Sequence, residues 1–123
     1  MKTTERVLVV FAALAGLLGV LAAATAAHLT GQGNLTIVAQ FLLFHAPVLL
    51  GLTALIAQGS VSIRLGRLAG FVLLLGLSLF CGDLSRRALA NEVLFPMAAP
   101  TGGVLLMIGW VLSGLSAVIA KRS

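Results

Sequence analysis

The chain has no tyrosine, one tryptophan, one cysteine and only three acidic residues among 123. Each shortage excludes something. The lone Cys81 cannot close a disulfide within the chain, and no Cys-x-x-Cys or Glu-x-x-His pair is present to hold a metal. Charged residues make up 9% of the chain, where soluble domains carry about 25%, so polar side chains are too few to cover a water-exposed surface. Without tyrosine there is no conventional aromatic belt at the membrane interfaces. No nucleophile elbow or dinucleotide fingerprint occurs, and Gly102-Gly103 lacks the lysine of a phosphate loop. These gaps argue against an enzyme and against a bound cofactor.

What is present is apolar: 60% of the residues are hydrophobic. They fall into four runs, about 7–27, 36–57, 67–89 and 101–120. At 1.5 Å rise per residue each run is long enough, or nearly so, to cross a hydrocarbon layer ~30 Å thick. The expectation is all-α: an antiparallel four-helix transmembrane bundle forming one domain over 1–123. The stretch from Leu68 to Leu89 organises the rest, because it stays uncharged until Asp83, Arg86 and Arg87 arrive together at one membrane face. The first run, with Lys2 and Arg6 ahead of it, also resembles a signal peptide, but its length exceeds the usual h-region and favours a retained helix.

The connections carry their own signals. Asn34 suits an N-cap for the second helix. Pro47 cannot donate to the Leu43 carbonyl, which predicts a kink or irregularity there. The two prolines of the 91–100 stretch prevent a helix from running through it, and Pro100 suits the first turn of the fourth helix. Arg64 and Arg67 stand where the third helix starts, a place the macrodipole disfavours for cations by a few tenths of a kcal/mol. Small residues recur at helical spacing in the first, third and fourth runs, which suits close helix packing.

Charge decides orientation. The formal charge is +5, which in a soluble protein would suggest nucleic acid; here the basic residues flank spans, and no nucleic acid is expected. Lys2, Arg6, Arg64, Arg67, Lys121 and Arg122 fall on one side, and only Arg86 and Arg87 on the other. Both termini are therefore expected in the cytoplasm, with the chain in the inner membrane.

Seven residues could carry chemistry or fix the packing: His28, Gln40, His45, Asp83, Arg86, Arg87 and Trp110. His45 falls ~14 Å into the second span, near the midplane, where an ionisable group is a functional candidate by default. Trp110 sits about as deep in the fourth span, and its indole N–H needs an acceptor once buried, so a His45–Trp110 contact is expected. Asp83 stands three and four residues before Arg86 and Arg87, so one face can hold a local ion pair or bind an anionic group. His28 lies at the outer end of the first helix, too far from His45 for the two to share a metal ion.

Several blocks, AAHL at 26–29, FHAPVLL at 44–50, LFCGDL at 79–84 and PTGGVLLMIGW at 100–110, resemble a family of small bacterial membrane proteins. That family is known as domain of unknown function 423, with eukaryotic relatives called transmembrane protein 256. Its histidine after the first span would be His28, and its histidine before an apolar run would be His45. Its Pro-x-Gly-Gly and Gly-Trp would be Pro100, Gly102, Gly103, Gly109 and Trp110. Two departures stand out: Phe41-Leu42 replaces a common Tyr-Gln pair, and Asp83 replaces a more usual serine. The resemblance implies a four-span inner-membrane protein and no particular reaction.

Two functions are compatible with these residues. One is a structural or accessory protein of the bilayer, as a homo-oligomer or within a larger complex, binding no identified ligand. The other is a small transporter or channel using His45.

Overall fold

Each apolar run folds as one continuous helix. The computed structural model describes residues 2–29 and 33–120, and comprises α1 (Thr3–His28), α2 (Gly33–Gln58), α3 (Ile63–Ala90) and α4 (Ala98–Val118). All four are long and apolar enough to cross a membrane, and no strand occurs among the described residues. In hydrocarbon a backbone must satisfy its own polar groups, and a helix does so within one segment.

The helix ends differ from the sequence expectation for local reasons. Ser62 caps α3: its Oγ accepts from the Leu65 N–H at 3.4 Å and its carbonyl accepts from Gly66 N–H at 2.8 Å. The helix therefore starts at Ile63, with Arg64 already inside its first turn. Asn91 ends it in the left-handed conformation (φ 59°), which asparagine tolerates, and its N–H returns to the Arg87 carbonyl. Because α2 begins at Gly33, Asn34 is a first-turn residue rather than the cap. Pro100 is the third residue of α4, where a missing N–H costs no hydrogen bond. Pro47 does not interrupt α2; it stands on the exposed face, and helix continues on both sides. Lys121 and Arg122 lie outside the described residues.

Packing follows chain order. α1 lies against α2, α2 against α3, and α4 against α3, while α1 and α3 meet mainly near their starts and α2 scarcely touches α4. Leu8, Leu49 and Leu73 are fully buried between the helices. Several of the small residues serve these internal contacts. A Cβ at Gly76 would meet the Gly102 carbonyl oxygen at 2.8 Å, and one at Gly102 would meet the Phe80 nitrogen at 2.6 Å. Here α3 and α4 touch backbone to backbone, which only glycine permits. Gly19 and Gly109 instead make room for side chains, those of Leu43 and Leu73. Large apolar side chains such as Val10, Leu17, Met107 and Val111 point outward, as a lipid-facing surface requires.

Candidate functional site

His45 lies midway along α2, twelve residues from Gly33 or ~18 Å along the axis. It is buried, and rings surround it: Phe41 stacks at 5.9 Å, while Phe44 and Trp110 present edges at 5.5 and 5.9 Å. Both ring nitrogens are engaged. Nδ1 is 2.9 Å from the Phe41 carbonyl oxygen, and Nε2 is 3.3 Å from the indole nitrogen of Trp110. A carbonyl can only accept and an indole N–H can only donate, so the hydrogen sits on Nδ1 and Nε2 accepts. This arrangement requires neutral imidazole, since imidazolium would set two donors face to face. The expected His45–Trp110 contact is present, and it joins the two helices that otherwise scarcely meet. Trp110 remains 43% exposed, so its outer edge faces lipid. Beside the cluster a shallow cavity of about 300 Å³, lined by apolar atoms of Gln40, Phe41, Phe44 and His45, opens outward.

The other sequence-selected residues stand apart from this centre. His28 is exposed at the last position of α1. Gln40 is exposed and its side chain makes no hydrogen bond among the described residues; an amide left so in hydrocarbon costs ~4–8 kcal/mol. Side chains of a helix lean toward its start, which carries the amide toward the interface ~10 Å away. Asp83 is fully buried near the far end of α3. Its Oδ1 accepts from the Leu94 N–H at 2.8 Å and its Oδ2 from Arg87 Nε at 2.8 Å. The carboxylate thus ties the 91–97 connection to α3. Arg86 does not share it: that guanidinium turns to Glu92 at 2.7 Å. The triad read as one cluster is two separate pairs.

Sequence reasoning missed one pair altogether. Glu5 is buried, and Arg67 Nε and a terminal guanidinium nitrogen both reach its Oε1, at 2.9 and 2.8 Å, while Oε2 has no partner among the described residues. The pair pins the start of α1 to the start of α3 across 62 residues. Its signal was present: short connections bring these two helix starts to one end, where Glu5 is the only acid. From that pin α1 and α3 diverge around an apolar cleft of about 440 Å³, walled by side chains such as Phe11, Leu18, Leu74 and Leu77.

The buried polar groups do not line up. Counted along the bundle from the Glu5 end, Thr53 lies ~12 Å before His45, and Asp83 ~10 Å beyond it. Thr53 Oγ1 donates to the Leu49 carbonyl at 2.6 Å, and Ser116 Oγ to the Ser113 carbonyl at 2.6 Å. Glu5 aside, each buried polar group has its own hydrogen-bond partner, and His45, Thr53 and Asp83 lie at separate depths.

Comparison with known proteins matches the chain to one family. The family described as "Protein of unknown function (DUF423)" covers residues 22–103. The UPF0382 inner membrane protein YgdD of Escherichia coli K12 is 32% identical over 126 residues, spanning 97% of this chain and 95% of that protein. YgdD of Shigella flexneri matches to the same extent. No solved structure matches. With four apolar helices and a match over two thirds of its length, this integral membrane protein belongs to the DUF423 family.

Proposed function

We propose that the protein is a non-catalytic accessory or structural component of the inner membrane, with both termini in the cytoplasm, acting through its helix surfaces as an oligomer or within a larger complex. The observation that carries this reading is His45. Its two nitrogens are taken up by Phe41 and Trp110, so the one ionisable side chain at the bundle's centre closes α2 onto α4 and has no free lone pair or proton to offer a solute. Asp83 is likewise engaged by a loop amide and an arginine, and His45, Thr53 and Asp83 lie at separate depths. The inner-membrane name of the YgdD relatives supports the location. Lys2, Arg6, Arg64 and Arg67 gather at one end of the bundle, which supports the orientation through the cytoplasmic preference of basic flanks.

The test is flux in reconstituted vesicles. Wild-type protein and His45→Ala move protons, cations and small solutes no faster than empty vesicles. Transport by the wild type that the substitution abolishes, with folding intact, would establish the transporter reading instead. A cytoplasm-active fluorescent reporter fused to the C-terminus lights up if the orientation is right; a reporter active only outside the cell contradicts it.

A further inference from the structure

The chain's three acids are all engaged: Glu5 with Arg67, Asp83 with Arg87, Glu92 with Arg86. Among the described residues Lys2, Arg6 and Arg64 form no ion pair, and all three stand at the same end of the bundle. Their counter-charge has to come from outside the described chain. Arg64 also stands at a cavity. About 540 Å³ of space lies where the α2–α3 turn, the start of α3 and the residue after α4 converge, lined by Gly59, Val61, Ser62, Ile63, Arg64 and Ile119. The walls are held in place: Val61 is buried, and the Ser62 N–H donates to the Ser116 carbonyl at 2.7 Å.

We infer that this cavity binds the phosphate of an anionic phospholipid, with the Arg64 guanidinium as its charged partner. Charge complementarity sets the sign of the ligand. The lining sets its class, since Arg64 and Ser62 are polar while Val61, Ile63 and Ile119 offer apolar surface to a glycerol backbone and the first methylenes of an acyl chain. Position agrees: Arg64 is the second residue of a membrane-spanning helix, at headgroup depth, where basic pockets between helices meet lipid phosphates. An anion there also offsets the unfavourable placement of a cation in a helix's first turn. The inference rests on the spans crossing a bilayer and is independent of the accessory role.

The experiment is native mass spectrometry of the detergent-purified full chain, offered phosphatidylglycerol, phosphatidylcholine or inorganic phosphate. Wild-type protein retains phosphatidylglycerol in preference to phosphatidylcholine, and inorganic phosphate neither binds nor displaces it. Arg64→Gln lowers phosphatidylglycerol retention by about fivefold, the factor one interfacial arginine contributes toward an anionic lipid. Arg64→Lys keeps part of it, and Arg6→Gln, which lies outside the cavity, leaves it unchanged. Gel filtration and Trp110 emission confirm that the variants fold. Equal retention by Arg64→Gln and wild type overturns the site, as does equal loss in Arg6→Gln, which would mean diffuse surface charge. Binding of inorganic phosphate alone overturns the lipid assignment.

Discussion

Replacing Gly102 with alanine tests the backbone contact between α3 and α4 against a neighbour that differs by one position. A Cβ there would lie 2.6 Å from the Phe80 nitrogen and 2.7 Å from the Gly76 carbonyl oxygen, short of ordinary 3.4 Å contact by about 0.8 Å. Both obstacles are backbone atoms, so no side chain can swing away and the helices must part. Overpacking of this kind costs ~1–3 kcal/mol. The same substitution at Gly103 meets nothing within 4 Å, so it carries the helix-propensity gain of alanine without the clash. Gly102→Ala is therefore expected to be ~1–3 kcal/mol less stable than Gly103→Ala. Adding Gly76→Ala to it should cost less than the sum, because both methyl groups press on one contact. The assay is reversible unfolding in mixed micelles, followed through Trp110, the chain's sole tryptophan. Equal stability of the Gly102 and Gly103 variants would refute the contact.

Two further outcomes follow from the ion pairs. Asp83→Ala removes a buried acceptor from the Leu94 amide and from Arg87, whose own side chain is 44% exposed and can hydrate, and should cost ~1–3 kcal/mol; Glu92→Gln, at an exposed pair, should stay within ~1 kcal/mol. Limited proteolysis of the 91–97 connection should speed up in the Asp83 variant alone, and equal rates would count against the tie. In a double-mutant cycle, Glu5→Gln and Arg67→Gln should couple by at least ~0.5 kcal/mol in the same unfolding assay, as residues in direct contact do. Additive effects would show that the pin contributes nothing.

The features legible in the sequence are those that depend on local order. Four apolar runs, each near the thickness of a bilayer, could only be four helices, because hydrocarbon admits no unpaired backbone. His45 and Trp110 could be matched because α2 and α4 start at the same end, so equal counts from their starts mean equal depth. Where the partner depends on a turn or on how two helices approach, counting does not find it. Arg86 and Arg87 are adjacent, yet one turns to Asp83 on its own helix and the other to Glu92 beyond the helix end, and only the αL turn at Asn91 brings Glu92 back. Arg67 counts in the sequence only toward the charged flank that sets topology; its contact with Glu5 depends on how α1 and α3 approach. Pro47 predicts a kink or irregularity, and the helix is continuous on both sides of it.

The central claim is that His45 is a neutral acceptor fastening α2 to α4. With two histidines in the chain, nitrogen-15 labelling and a His45→Ala control assign the imidazole of position 45 in bilayers without ambiguity. At neutral pH the expected result is a hydrogen on Nδ1, a bare Nε2, and magnetisation transfer between that Nε2 and the Trp110 indole N–H. A hydrogen on Nε2, whether in the other tautomer or in imidazolium, would contradict it.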